Sequence, residues 1–471
     1  MRAAPWPRMV PDMTRLLLAS MPAHGHVAPL VPLAKALRAR GHEVFWFTGP
    51  AYRERVEAAG AHYCPMIDCW DLDAGNLDAA FPGRAETKGL ARFRFDLREI
   101  FIAQVPGQVA DLERHIAQIQ PDALIAEPSI AAACSVVHAR TGLPWATMGI
   151  TALTMPSADT APFGFGVTPM AGRIGRLRNR AMQAAIDRTL FRAIDADYRA
   201  MAARLGIEPH AGGIFGSTLS PYLYLQPTVP AFEYPRGDLA PQVHFVGPHL
   251  PDAPPAATLP AWWGAMLEDD RPVVLVTQGT VATDATELVL PTIEALRDAP
   301  VQVIGTTGGP DPADVLRGAE LPANARLERF VPFDALMPHV KAYVSNGGYG
   351  GLHFALAHGV PMVVAGKTED KAELVARTSW SGVGIGLRRQ RVSPAQIGRA
   401  VRRVLDEPRF RARAGALQAE MAAAPGPARS AELVEALVAT RAPVVRDAYA
   451  PAGPAEATAV ADAALPFGVS V

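Results

Sequence analysis

Cysteine is scarce in this chain, with only Cys64, Cys69 and Cys134 among 471 residues. Three thiols make no disulfide framework. No second ligand pair accompanies Cys64 and Cys69, so a zinc site is not indicated and a reduced compartment is. An excess of one charge is missing too: 45 Lys and Arg against 46 Asp and Glu leave a formal net charge of −1. That balance supplies no drive toward nucleic acid or an anionic membrane surface. The densest basic cluster, Arg173, Arg176, Arg178 and Arg180, lacks interleaved aromatics and reads as a solvated helix face. No apolar run nears 18 residues, so stable membrane insertion is not expected. Leu16-Leu17-Leu18-Ala19 is too short for a signal peptide, and residues 1–13 read as an untethered leader. A soluble, cytoplasmic protein without a nucleic-acid partner is the expectation.

What is present is a large apolar inventory, 49% hydrophobic against 19% charged, enough for more than one core. Arg15 to Ala19 reads as a buried strand. A helix opens near Pro29, with Leu30, Leu33, Ala34 and Leu37 at helical spacing and Gly41 where a C-terminal cap belongs. EVFWFT (Glu43 to Thr48), a helix to Gly60 and a strand to Met66 follow. This β-α-β-α-β order predicts a parallel, doubly wound sheet. Asp68 to Phe101 is irregular. The alternation resumes with ALIA (Ala123 to Ala126), a helix through His138, and Pro144 to Met148. Gly149 to Met170, rich in Thr, Pro, Met and Phe, reads as a long loop over a ligand site. Tyr222 to Leu225 and Val243 to Gly247 close the first half, and Gly247 to Pro260 reads as a linker. Strands restart at Pro272 to Thr280, Val301 to Gly305, a segment ending at Phe330, and Pro361 to Ala365, before helices over Ser393 to Val438. The division expected is 14–246, a linker 247–260, a second domain 261–424, a helix 425–440 packing back on the first domain, and a flexible tail 441–471.

The stretch SNGGYGGLHFALAHGVPMVVAG (Ser345 to Gly366) carries the strongest chemical signal. Its glycines, Gly347, Gly348, Gly350 and Gly351, let backbone approach a ligand closely. The helix behind them aims free N–H groups and a positive dipole end at an anion. That is the chemistry of a diphosphate pocket, and Thr368, Glu369, Asp370 and Lys371 follow within reach of whatever the diphosphate carries. In the first half, MPAHGHVAPL (Met21 to Leu30) places His24 and His26 in the loop after the first strand. A histidine there is a general-base candidate, with packing, helix capping or a His24-x-His26 metal pair as other readings. Thr280 ends the matching strand of the second half, either to bind phosphate or to cap a helix. Asp71-x-Asp73 reads as a solvated turn. No GxGxxG follows the first strand, which argues against a dinucleotide dehydrogenase.

Taken together, PAHGHVAPLVPLAKALRARGHEV (Pro22 to Val44) and RFVPFDALMPHVKAYVSNGGYGGLHFALAHGVPMVVAG (Arg329 to Gly366) resemble the inverting GT-B nucleotide-sugar glycosyltransferases. These include bacterial natural-product and macrolide transferases and the UDP-glycosyltransferases. The resemblance runs from Arg15 to about Val438. It implies two Rossmann-like domains facing across a cleft, with no cofactor beyond a UDP- or dTDP-sugar co-substrate and no metal. It also implies a small apolar acceptor such as a polyketide, macrolide or phenol, and a monomer or homodimer. His26, in Gly25-His26-x-x-Pro29, is implied as the base and Glu127, where Asp is more usual, as its partner. Phe330 and Val331, in the aromatic-x-Pro segment, are implied to read the nucleotide base. Asn346 stands where many relatives carry a phosphate-binding His, and Phe354 where plant enzymes place a ribose-binding Glu. Asp370-Lys371 stands at the family's sugar-binding Asp-Gln, so Lys371 either touches the sugar or serves as scaffold. Two further readings use the same architecture: a nucleotide-sugar epimerase, and a non-catalytic sugar-nucleotide-binding accessory protein.

Overall fold

The computed structural model describes residues 13–70, 77–250, 259–279, 284–368 and 370–447. Its first sheet holds seven strands: β1 (Arg15–Ala19), β2 (Glu43–Thr48), β3 (His62–Pro65), β4 (Ala123–Ala126), β5 (Trp145–Met148), β6 (Leu223–Gln226) and β7 (Val243–Phe245). Their spatial order is β3-β2-β1-β4-β5-β6-β7. The second sheet holds β8 (Val273–Thr277), β9 (Gln302–Thr306), β10 (Ala325–Glu328), β11 (Val340–Ser345), β12 (Met362–Ala365) and β13 (Gly384–Leu387), in the order β10-β9-β8-β11-β12-β13. All the pairings are parallel.

Parallel sheets need both faces covered, so their strands are apolar throughout rather than alternating with polar residues. Leu17, Ala19, Phe47 and Leu124 pack on one side of the first sheet, while Leu16, Leu18, Val44 and Trp46 pack on the other. Val274, Val276 and Val344 against Leu275, Ile304 and Tyr343 divide the second sheet in the same way. Helix Leu30–Ala39 buries Leu30, Leu33, Ala34 and Leu37, and Gly41 at φ +91° turns the chain into β2. The helix Pro427–Thr440 returns to the first sheet, adding Ala431, Leu433, Val434 and Leu437 to the cluster of Leu16, Leu18 and Leu33.

Several boundaries differ from expectation. The segment expected to run as a strand to Phe330 leaves the sheet at Glu328, and Phe330 is 61% exposed. Asp68 to Phe101, read as irregular, holds the helices Leu77–Ala80 and Gly89–Phe95 and a π-helix Asp96–Ile102. The tail expected to be loose from Arg441 is tied down at its start. The Arg446 guanidinium donates to the Leu239 carbonyl at 2.8 Å and the Val243 carbonyl at 2.9 Å, and Val444 N–H donates to Tyr222 at 2.9 Å. Orphan carbonyls at the edge of the first sheet are what this arginine satisfies.

Candidate active site

Ligands of doubly wound sheets sit beyond the carboxyl ends of the strands where the strand order reverses. In the first sheet that point lies between β1 and β4. The chain leaving β1 forms a four-residue helical turn, His24–Val27, rather than the open loop expected, because Leu30 starts the next helix at once. The chain leaving β4 delivers Glu127, which is fully buried. His26 Nδ1 lies 3.2 Å from Glu127 Oε2 and 3.3 Å from Ser129 Oγ. Two backbone groups complete the carboxylate: Met21 N–H donates to Oε1 at 3.0 Å and Ser129 N–H donates to Oε2 at 2.8 Å. Burial works to raise the Glu127 pKa, yet His26 and these two N–H donors outweigh it and hold the carboxyl below its ordinary value. For His26 burial works downward, and Glu127 together with Asp370 carries its pKa above the usual 6.5. A carboxylate on Nδ1 fixes the tautomer and leaves Nε2 as the proton acceptor.

His24 does not join this pair. Its Nδ1 accepts from the Arg55 guanidinium at 3.1 Å, and burial and that cation lower its pKa. The His24-x-His26 metal pair therefore does not form, and no group of three His, Cys, Asp or Glu suited to a metal occurs among the described residues. Cys64, Cys69 and Cys134 are buried free thiols.

In the second sheet the strand order reverses between β8 and β11. The turn after β11 contains Gly347 at φ +96°, where any Cβ would press on Val364 at 3.3 Å. Gly348 then caps the helix Tyr349–Ala357. A Cβ on Gly348 or Gly350, or on Gly25 across the cleft, would meet no atom within 4 Å, so these glycines present backbone to open space. Gly351 differs: a Cβ there would sit 2.6 Å from the Tyr343 hydroxyl, so it serves helix–strand packing. Asn346 is buried, and its side-chain amide donates to the Gln278 carbonyl after β8. Lys371 opens helix Lys371–Trp380 and is 5% exposed. A Cβ at Gly366 would fall 2.8 Å from the Lys371 Cβ and 2.7 Å from the Asn346 carbonyl, so glycine there lets this helix start touch the glycine turn. Phe330 projects into solvent beside Val331, which is buried in the core. Phe354 packs its ring on Phe333, 6.0 Å between centroids. Thr280, Glu369, Asp71 and Asp73 lie outside the described residues.

The two halves meet over the cleft. Thr151, just past β5, donates its hydroxyl to Asp370 at 2.5 Å. Asp370 is close enough to His26 to raise its pKa, which brings the imidazole of the first half beside the start of helix Lys371–Trp380 in the second. An apolar wall stands beside the His26–Glu127 pair: Met21, whose N–H binds Glu127, clusters with Phe81 and Ile100, and Trp70 stacks on Phe81 at 4.7 Å. Ser129 and Thr151 were not legible as site residues. The one signal for Ser129 was its place two residues after Glu127, and Thr151 meets Asp370 across 219 residues of chain.

Comparison with known proteins agrees with the two-sheet fold. Residues 311–439 match the family model described as "Erythromycin biosynthesis protein CIII-like, C-terminal domain". The chain is 46% identical over 425 residues to the 4'-demethylrebeccamycin synthase of Lentzea aerocolonigenes, covering 90% of this chain and 99% of that protein. It is 34% identical to UDP-glycosyltransferase 2 of Phaeomoniella chlamydospora, covering 86% of this chain and 91% of the relative. Among solved structures, the calicheamicin glycosyltransferase CalG4 superposes with a TM-score of 0.68 at 22% identity, over 92% of this chain and 100% of that one. The chain belongs to the GT-B natural-product glycosyltransferases, enzymes that act on sugar-nucleotide donors.

Proposed function

We propose that the protein is an inverting, metal-independent hexosyltransferase in which His26 is the general base. The observation that carries this reading is the His26–Glu127 pair at the β1/β4 reversal, with Asp370 of the other half beside it. The acceptor hydroxyl gives its proton to His26 Nε2 while its oxygen bonds to the anomeric carbon. The bond from that carbon to the β-phosphate oxygen breaks on the opposite face, and the nucleoside diphosphate leaves with the electron pair. Glu127 stabilises the imidazolium formed. The departing charge is met by the N-terminus of helix Tyr349–Ala357 and the Gly347-Gly348 turn, where first-turn N–H groups have no intrahelical partner. Thr280 and Glu369 join this donor set, with Phe330 and Val331 at the base.

Residues 14–246 then form the acceptor domain, 247–260 the linker and 261–424 the donor domain. The acceptor is a small apolar molecule with a hydroxyl, held against Met21, Phe81 and Ile100. The donor is a UDP- or dTDP-hexose. The test is incubation with α-configured UDP- and dTDP-glucose and a panel of polycyclic and phenolic acceptors in EDTA, with the product's anomeric configuration read by NMR. A β-linked product is expected. An α-linked product, or transfer abolished by EDTA and restored by Mg²⁺, overturns the mechanism. Epimerised donor without transfer overturns the activity.

A further inference from the structure

The segment 149–166 leaves β5 of the first half, yet both its ends also hydrogen-bond to the second, through Thr151 and through Gly164 to Gly166. Glu373, on helix Lys371–Trp380, accepts the Gly164 N–H at 2.9 Å and the Gly166 N–H at 2.8 Å through one carboxylate oxygen. Its other oxygen takes the Arg377 guanidinium at 2.8 Å. Arg377 is 1% exposed, also donates to Glu233 at 2.9 Å, and lies over the Tyr234 ring at 3.9 Å. Glu233, itself 3% exposed, closes the circuit by accepting the Leu153 N–H at 3.0 Å. Arg236 holds the Leu153 carbonyl from the same side at 2.8 Å. At Gly166 the approach leaves no room for a side chain, since a Cβ would lie 2.3 Å from the Ala372 carbonyl.

An isolated ion pair at this depth costs more in desolvation than it returns, and its best-attested use is to specify one arrangement. Here the arrangement specified is that of a loop against a helix. The helix begins at Asp370 and Lys371 and the loop begins at Thr151, which binds Asp370. Farther along, Pro156, Pro162 and Phe163 of the loop line a cavity of about 980 Å³ whose other walls include Phe191 and Phe215. One circuit therefore joins the donor-side start of the helix to a wall of this cavity of the acceptor half.

We propose that Glu233, Glu373 and Arg377 form a latch that holds the 149–166 loop on the donor helix and so positions the acceptor and excludes water from the sugar. These are positioning residues acting through the loop, and the proposal rests on the transferase reading above. With the loop released, water can take the acceptor's place: its oxygen bonds to the anomeric carbon, the bond to the β-phosphate breaks, and His26 takes the proton.

Glu373→Ala, assayed in the full chain, is expected to raise amide exchange across 149–166 on the order of tenfold. UDP and dTDP binding should stay near wild type, the acceptor KM should rise, and the ratio of donor hydrolysis to transfer should rise on the order of tenfold. Glu373→Gln keeps an oxygen for the two glycine N–H groups but loses the Arg377 ion pair. Its partition should fall between wild type and Glu373→Ala, and it serves as the test if the alanine variant does not fold. Unchanged exchange, or raised exchange with an unchanged hydrolysis-to-transfer ratio, overturns the latch. Exchange needs no turnover, so a wild-type protein inactive on every donor would refute the transferase reading while leaving that arm to judge the latch.

Discussion

Replacing Glu127 with Gln asks whether the carboxylate sets the proton inventory of His26 or merely fills space. In the native arrangement Nδ1–H donates to Glu127 at 3.2 Å, so the Nε2 lone pair faces the cleft. Met21 N–H reaches Oε1 at 3.0 Å, while Ser129 N–H at 2.8 Å and His26 share Oε2, so the one carbonyl oxygen of a glutamine can serve only one of these sides. Its amide nitrogen must then face either Met21 N–H or Ser129 N–H together with His26. If it donates to Nδ1, the proton moves to Nε2 and the base carries hydrogen where it needs a lone pair. An analogous tautomer loss costs about 10⁴ in turnover, and loss of general-base help alone about 10²–10⁴. We therefore expect kcat to fall about 10³-fold, or about 4 kcal/mol of barrier, with His26→Ala setting the floor. The pH profile gives an independent reading. The base must be neutral to act, so activity rises with pH through the pKa of His26. Glu127 holds that pKa up against burial, so the acidic limb of Glu127→Gln should move to lower pH even as the plateau drops. Single-turnover rates across pH 5 to 9 with a poorly acidic alcohol make the measurement, with thermal melting to confirm folding. A variant with near-native rates, or an acidic limb that stays or moves upward, would refute the pair.

Lys371→Gln changes a buried lysine whose stem lies against Gly347 and Gly366. Relative kcat/KM among UDP-glucose, dTDP-glucose and UDP-glucuronate should shift, with the carboxylated donor losing most. An equal change for all three would make Lys371 scaffold. Acid should unfold the protein through two buried neutral histidines. His249 joins Pro29 to Ser430, and His353 joins Tyr349 to Thr228, each with its pKa pressed by burial to about 4. A folded pKa below the unfolded value means that the unfolded chain binds more protons between pH 6.5 and 4. The contribution is therefore complete above 6.5 and lost as pH falls toward 4, by about 3 kcal/mol per histidine. Denaturant midpoints from pH 7 to 4 should drop accordingly and flatten in His353→Gln. A midpoint independent of pH across that window would count against both histidines.

The fold was legible where strands are buried on both faces, because such strands must be apolar throughout and long enough to stand out. VVLVT of β8 and EVFWFT of β2 are of that kind. β13 was not, since it reads GIGL. Its glycines answer to crowding: a Cβ at Gly384 would lie 1.9 Å from the Met362 carbonyl, and one at Gly386 2.2 Å from the Val375 carbonyl. A strand selected for lack of side chains carries no hydrophobic period to detect. The helices within 77–102 escaped for a related reason. The two α-helical ones are short, and Arg84 binds Asp78 and Asp96 across the bend, a local polar knot that resembles loop composition.

The site was legible in so far as it follows from strand ends, and opaque wherever one half completes the other. His26 lies in the turn that follows β1 and Glu127 directly follows β4, and a parallel sheet brings such connections together whatever the intervening length. Thr151–Asp370 and Glu233–Arg377 depend on how two sheets lean together, which no local pattern encodes. Asn346 shows a third case, in which a residue matches a motif position but its neighbours have changed its work. Its amide is committed to the Gln278 carbonyl, and it lies against Gly279 at φ +89°, where an added Cβ would sit 3.3 Å away. That bond ties the turn after β11 to the turn after β8, the two strand ends that flank the crevice of the second sheet. An asparagine so engaged adds no charge at the diphosphate position. What it supplies is a fixed distance between two backbone turns, so in the proposed mechanism the anion is left to the N–H groups of the glycine turn and the helix behind it. Stabilisation by oriented backbone dipoles requires that the turns be held rigid before the charge arrives. The neutral Asn346 side chain, through its bond to the Gln278 carbonyl, serves that rigidity.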